Sequence, residues 1–142
     1  MFKKGNLLII VLFFALLTFA MFRFFTVREE VIETILVRNA QLVQAHVDDF
    51  ASEAGGYPLS LDDPDGLSWT VAEKLEEDGL ANPFGGIAAF SLEPGDTLPQ
   101  KFQPGVVVYL PLDTSEGLAH DYRIAVYNRR GLRLGLVLAP EE

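Results

Sequence analysis

The sequence LLIIVLFFALLTFAMF occupies residues 7–22, and Thr18 is its only polar residue. Phe24 and Phe25 extend this apolar run to about the 20 residues that a helix needs to cross the hydrocarbon core of a bilayer. We therefore predict a transmembrane segment over residues 7–25, with membrane lipid as its surroundings.

The next segment, residues 27–54, is amphipathic. Its apolar side chains recur at helical spacing and form one broad stripe, made of Val31, Ile32, Ile35, Leu36, Leu42, Val43, Val47 and Phe50. Neither Pro nor Gly occurs between Asn6 and Ala54, so nothing interrupts a helix where the two segments join. The sequence predicts a single helix over residues 7–54, roughly 70 Å long at 1.5 Å per residue.

A cleaved secretory signal peptide is the alternative interpretation of the first segment, because such peptides also carry basic residues before an apolar core. Here the core is slightly long, and the TFA triplet that ends at Ala20 is a poor cleavage site with more apolar residues after it. A retained anchor is the better interpretation. Since Lys3 and Lys4 precede it, we expect a cytoplasmic basic leader over residues 1–6 and an exported domain over residues 26–142. The protein would cross the inner (cytoplasmic) membrane once.

Charge and cysteine content exclude two classes of function. The formal net charge of the 142-residue chain is −9, and removing the two leader lysines leaves −11 for the part from Arg23 onward. A nucleic-acid-binding protein needs a basic surface against the phosphates, so we expect no nucleic-acid partner. The chain has no Cys, which excludes disulfides and thiol chemistry. Without the membrane segment, its length allows one small domain.

Turn signals divide the rest of the chain. The GGYP sequence at residues 55–58 ends the long helix, because Gly favours a helix C-terminus and Pro cannot continue one. A short second helix follows, in which Thr70 and Glu73 have the spacing of a capping box. Ser68 is the alternative N-cap, and Gly79 is placed to end this helix.

The C-terminal half of the chain reads as strands. We predict them over residues 87–92, 106–110, 121–127 and 132–138, separated by a loop over residues 93–105, a polar connection over residues 113–120 and a tight turn over residues 128–131. Consecutive strands of this kind predict an α+β fold in which a three- to four-stranded antiparallel sheet packs on the C-terminal half of the long helix. The sheet residues expected to be buried against the helix are Ile124, Val126, Leu134 and Leu136, and their expected partners are Ile35, Leu42, Val43 and Phe50.

Several short motifs follow one another along the chain. The long helix ends in GGYP at residues 55–58, LEEDGL follows at residues 75–80, and NPFGG follows at residues 82–86. The sequence KKG at residues 3–5 precedes the apolar run. This order resembles the type IV pilin and type II secretion pseudopilin family, in which KKG would end a prepilin leader. The resemblance implies a pilin-like fold, leader cleavage after Gly5, and a structural role in a pilus, pseudopilus or type II secretion-like assembly. Its partners would be other pilin-like subunits, contacted through the N-terminal helix.

Two positions depart from the family pattern. Ile10 stands where the family usually has Glu, and Asn6 stands where the mature family member usually begins with Phe. In the family, that Glu is thought to pair with the N-terminal amine of a neighbouring subunit. The resemblance therefore implies a minor or divergent component, and we expect cleavage after Gly5 to be inefficient or absent.

Contacts with neighbouring subunits should form mainly above the membrane. The span itself consists largely of Leu, Ile and Phe, which lipid solvates about as well as another helix does, and it lacks a Gly-x-x-x-Gly seam. Above the span, water makes the burial of apolar surface favourable. We therefore expect an assembly surface at Phe24, Phe25, Val27 and Val31.

Clusters of acidic and histidine side chains are weak candidates for a metal site. His46, Asp49 and Glu53 can share a helix face, but a solvated face explains them better than metal ligation does. The three Asp residues within 62–65 lack the remaining ligands of a calcium loop, and turn formation explains them better. We expect no metal and no cofactor.

An enzyme is the class that the sequence supports least. His120 and Asp121 can orient a general base, but no nucleophile motif accompanies them, so we expect no catalytic residues. Two classes remain: a subunit of an assembly, and a solitary membrane-anchored exported domain that binds a ligand. The uninterrupted helix favours the first, because a flexible linker is sufficient for a tether.

Overall fold

The computed structural model of the protein describes residues 4–141 and has an α+β architecture. Its elements are α1 (Lys4–Ala54), α2 (Val71–Glu77), β1 (Ala89–Ser91), β2 (Val107–Ser115), β3 (Leu118–Tyr127) and β4 (Arg133–Leu138). The chain forms two compact units, the first ending at Thr34 and the second beginning at Ile35. Residues 1–3 of the predicted basic leader over residues 1–6 lie outside the described residues, and residues 4–6 belong to the first turn of α1.

The predicted long helix is confirmed: it begins three residues before the predicted start and ends at the predicted residue. The helix α1 is 51 residues long and continues through the junction of the apolar and amphipathic segments. It ends at Ala54, and the next residue, Gly55, has a φ of 83°, the left-handed conformation that glycine adopts without strain. The amide of Gly55 donates to the carbonyl of Ala51 at 2.9 Å, which satisfies one of the last carbonyls of the helix.

The short helix α2 begins at the capping box that its sequence predicts. Thr70 is the N-cap, so the alternative start at Ser68 is not used. Its side-chain oxygen accepts from the amide of Glu73 at 3.2 Å, and the Glu73 carboxylate accepts from the amide of Thr70 at 3.0 Å. At the other end, the amide of Leu80 donates to the carbonyl of Leu75 at 2.9 Å, as in a Schellman motif.

The sheet has four strands in the order β1-β2-β3-β4, and it is mixed. The pairs β2–β3 and β3–β4 are antiparallel as predicted, but β1 pairs parallel with β2, so the prediction of a wholly antiparallel sheet is wrong. The reason is the connection over residues 92–106, which is long enough to return the chain to the same end of the sheet. Leu98 and Phe102 of that connection pack against a buried cluster on one sheet face, formed by Val106, Val108, Ala125 and Tyr127.

The polar connection predicted over residues 113–120 is also wrong, because most of it is strand. The strands β2 and β3 pair as far as Ser115 and Leu118 and are joined by a tight turn. Glu116 and Gly117 form this turn with φ values of 55° and 84°, as a two-residue hairpin loop of type I′ requires. Glu rarely adopts positive φ, which is why the sequence gives a weak turn signal there.

The opposite sheet face packs with the C-terminal half of α1 in the core of the second unit. The phenol of Tyr122, in β3, donates to the Asp48 carboxylate of α1 at 2.8 Å. Ile124 and Val126 follow by strand alternation on the same face and are fully buried. The side chains of α1 that are at most 1% exposed lie on one helical stripe: Leu36, Ala40, Val43, Val47 and Phe50.

The prediction of the core residues is therefore right for some of them and wrong for others. Ile124, Val126, Val43 and Phe50 are fully buried. Leu134 and Leu42 are only half-buried. Leu136 and Ile35 are each 38% exposed, so their predicted burial is wrong. Leu136 lies in β4, an edge strand whose register with β3 is irregular, and Ile35 is displaced about 100° around α1 from the buried Leu36.

Candidate functional site

The four residues of the predicted assembly surface are exposed side chains of α1, all within the first unit. Phe24, Phe25, Val27 and Val31 expose 67%, 55%, 49% and 53% of their surface. Phe24, Val27 and Val31 have the spacing i, i+3, i+7 and share one helix face. Phe25 lies about 100° away around the helix, so the helix brings three of the four together and sets Phe25 apart.

The N-terminal part of α1 has the properties of a membrane span by length and composition. Its most apolar window has no part buried inside the protein. Thr18 donates its hydroxyl to the carbonyl of Phe14 at 2.8 Å, and Thr26 donates to Phe22 at 3.0 Å. Each hydroxyl is thus satisfied within its own helix, which lowers the cost of placing it in an apolar medium.

Gly5, the predicted cleavage position, lies in the first turn of α1. A Cβ built there would meet no described atom within 4 Å, so packing does not require glycine at this position. The leader residues before Lys4 lie outside the described part of the chain.

Of the three residues considered as a metal cluster on α1, His46 and Glu53 contact different residues outside that helix. His46 contacts Asp78 at 2.6 Å through Nε2, while its Nδ1 lies 3.9 Å from Asp49. Glu53 accepts from the indole of Trp69 at 3.3 Å. Among residues 4–141 no three His, Asp or Glu side chains are grouped so that they could hold a metal ion. These contacts instead attach α1 to the segments that lead into and out of α2.

His120 and Asp121, which are neighbours in β3, also contact different residues. His120 contacts the Ser115 hydroxyl at 2.6 Å, across the hairpin. Asp121 pairs with Arg123 at 2.6 Å. The two side chains therefore do not form the base-and-orienter arrangement that general-base catalysis uses.

The acidic loop after α1 is held by its own hydrogen bonds. Asp63 accepts from the amide of Asp65 at 3.0 Å, and Asp65 accepts from the amide of Leu59 at 3.4 Å. Asp65 has a φ of 42°, a conformation that Asp tolerates in turns. Burial, followed by repulsion from Asp63, raises the pKa of Asp65. These contacts are those of a turn.

Sequence reasoning missed a cluster of tyrosines between the sheet and α1. Tyr122 packs edge-on against Tyr57 and obliquely against Tyr109, with ring centroids 4.7 Å and 5.9 Å apart. Tyr109 donates to the carbonyl of Pro58 at 2.7 Å. Burial raises the pKa of the Tyr109 and Tyr122 phenols, and it is also the main cause of the raised pKa of Asp48. The strand alternation that places Tyr122 beside Ile124 is the one sequence signal for this cluster.

A second missed feature is a groove of about 480 Å³ between α2 and β1, here called the α2–β1 groove. Residues 60–62, one side of α2, Leu80 and residues 87–91 line it. Asp62 and Glu76 are exposed at its surface, and none of its lining residues is basic.

The described side chains thus offer apolar contact surface and an acidic groove. Compared with known proteins, the chain matches no protein family, no curated protein and no solved structure.

Proposed function

We propose that this chain is a membrane-anchored structural subunit that assembles side by side with other subunits through α1. It would be a minor or divergent pilin-like component of a pilus, pseudopilus or type II secretion-like system. Its N-terminus would be cytoplasmic and its second unit would be exported across the inner membrane.

The observation that carries this proposal is the exposed apolar face at Phe24, Val27 and Val31. Val27 and Val31 lie beyond the predicted span, so their half-exposed side chains are costly in water and gain free energy when another surface covers them. Phe24, near the end of the span, extends the same face. A second helix with a similar face is a suitable cover, because side chains at this spacing pack into the gaps of a neighbouring helix.

The continuity of α1 supports the same function. One helix supplies both the apolar segment before Arg23 and the buried stripe of the second unit. An anchor built in this way has no flexible linker, whereas a solitary tethered domain has no need of a continuous helix.

Site-specific disulfide cross-linking in membranes tests the proposal directly, because the chain has no Cys of its own. We expect Val31→Cys to form a cross-linked dimer, either with a second copy or with a co-expressed subunit carrying Cys at its own helix face. Glu33→Cys is the matched control, since Glu33 is exposed on the same helix about 160° around from Val31. Equal cross-linking at both positions, or none at either, would contradict the proposal and favour a solitary exported binding domain.

A further inference from the structure

One wall of the α2–β1 groove carries unpaired strand backbone. The strand β1 is at the end of the sheet and pairs only with β2. The amide of Val107, in β2, donates to the carbonyl of Ala88 at 2.9 Å. In a parallel pair, only alternate residues of a strand bond to the neighbouring strand. The backbone groups of Ala89 and Ser91 therefore point away from β2. Within residues 4–141 no further strand pairs with this edge.

The groove is preformed, because the backbone amide and carbonyl of Leu61 make hydrogen bonds to its two walls. The amide of Leu61 donates to the Ser91 hydroxyl at 2.9 Å, and the carbonyl of Leu61 accepts from the amide of Ala72 at 2.8 Å. Ile87 and Phe90 on the strand side leave 51% and 42% of their surface exposed. Open apolar side chains beside a free strand edge are the features that strand-adding peptide sites use.

The charge around the groove is of one sign. Asp62 and Glu76 line it, and Glu73 and Glu77 lie beside Glu76 on α2. Lys74 is the one basic residue of α2, and it is engaged with Glu77 at 2.8 Å. An acidic rim of this kind attracts basic groups and repels acidic ones.

We propose that the α2–β1 groove binds an extended segment of a partner protein in which apolar and basic side chains alternate. The segment would lie along β1 as an added strand and exchange backbone hydrogen bonds with Ala89 and Ser91. Its apolar side chains would pack against Ile87 and the side of α2, and its basic side chains would face Asp62 and Glu76. This site is separate from the α1 face and does not depend on the assembly function.

The test uses the full-length protein in a non-ionic detergent and fluorescent six-residue peptides of defined sequence. The probe alternates Val and Arg; one matched peptide alternates Val and Glu, and another alternates Ser and Arg. Fluorescence anisotropy, corrected with empty micelles, should show binding of the Val-Arg probe and at least about tenfold weaker binding of the other two. Equal binding of the Ser-Arg peptide would mean charge attraction alone and would overturn strand addition.

Two variants locate the binding in the groove. Ala89→Pro removes one outward-facing amide without removing a bond to β2, and an edge strand tolerates proline at such a position. We expect it to weaken the Val-Arg probe about tenfold, as the loss of one hydrogen bond does, whereas Ala89→Gly keeps the amide and should bind like the unaltered protein. Unchanged affinity of Ala89→Pro overturns the proposal.

Two double variants test whether binding needs the acidic residues of the groove. The double variant Asp62→Lys/Glu76→Lys should abolish binding of the Val-Arg probe. The double variant Glu30→Lys/Glu33→Lys makes the same change of net charge on the first unit and should bind the probe like the unaltered protein.

If Ala89→Pro fails to fold, hydrogen exchange in the unaltered protein decides. The probe should slow exchange of the Ala89 and Ser91 amides, and unchanged exchange at both overturns the proposal.

Discussion

Val31 and Val43 are the same residue type in the same helix, yet 53% of Val31 is exposed and Val43 is fully buried. Both belong to the one apolar stripe that the sequence predicts, so periodicity alone assigns them the same role. The difference is that the second unit supplies a sheet to cover Val43, whereas residues 4–34 of the first unit contain only helix. An apolar stripe therefore predicts that something covers it, and only the tertiary structure tells whether the cover belongs to the same chain.

The largest expected effect comes from replacing each of these two valines with aspartate. Val43→Asp buries an unpaired carboxylate in the core of the second unit, and we expect it to lower the free energy of unfolding by about 4 kcal/mol. Val31→Asp should leave the unfolding of the second unit unchanged, because that side chain is exposed. Near-ultraviolet circular dichroism of the buried tyrosines, followed during heating in detergent, measures both. A comparable loss of stability in Val31→Asp would mean that Val31 belongs to the same core as Val43.

The second prediction compares two neighbouring phenylalanines of the first unit. In a Val31→Cys background, Phe24→Ser should reduce the yield of cross-linked dimer, because it removes apolar surface from the face that holds Val31. Since Phe24 lies at the end of the predicted span, that surface is worth at most about 2 kcal/mol. Phe25→Ser makes the same chemical change about 100° around the helix and should leave the yield near its original value. A quantitative gel of cross-linked membranes gives the comparison. Equal losses in the two variants would mean that contact is not confined to one face.

The third prediction compares two threonines whose hydroxyls both make hydrogen bonds. Thr70→Ala removes the N-cap of α2 and should destabilise the second unit by about 1 kcal/mol. Thr34→Ala removes only a bond from the Thr34 hydroxyl to the Glu30 carbonyl, within the helix of the first unit. We expect little change there, because Ala is the better helix former and the freed carbonyl keeps its helix partner. Chemical denaturation monitored by tyrosine fluorescence distinguishes them.

The parts of the fold that local signals specify could be predicted from the sequence. The uninterrupted run to Ala54 and the capping box at Thr70 gave α1 and α2. The direction of β1 could not be predicted in the same way. That strand has three residues, and its parallel pairing is set by the path of the connection that follows and by the packing of Phe102 on the sheet. Such a path is a tertiary property with no local periodicity.

The two candidate sites also differ in how far the sequence predicts them. The exposed residues of α1 follow from helical spacing, and the separation of Phe25 from Phe24 also follows from about 100° per residue. The α2–β1 groove has no comparable signal, because its walls come from three separate segments of the chain, which hydrogen bonds of Leu61 tie together. Whether an apolar side chain such as Ile87 is exposed depends on which strand lies at the sheet edge, and the sequence does not state the strand order.

The smallest expected effect concerns a carboxylate on the half of α1 that packs in the second unit. Burial is the main cause of the raised pKa of Asp48; repulsion from Glu141 and Asp49 adds to it, and the hydrogen bond from Tyr122 opposes it. The folded protein therefore holds this proton to a higher pH than the unfolded chain does, so ionisation of Asp48 reduces stability as pH rises through its folded pKa.

Asp48→Asn keeps an oxygen that can accept from the Tyr122 phenol but cannot ionise. At pH 7 we expect it to raise the free energy of unfolding by less than about 1 kcal/mol, because solvent screens a partly exposed carboxylate. The gain should disappear below the ordinary pKa of Asp, where both proteins are neutral at this position. Glu33→Gln removes a carboxylate from the first unit and is the matched control, for which we expect no gain in the stability of the second unit. Denaturant titrations of the three proteins at pH 3.5, 5 and 7 measure the difference. A destabilised Asp48→Asn at pH 7 would show that the ionised carboxylate strengthens the Tyr122 hydrogen bond by more than its burial costs.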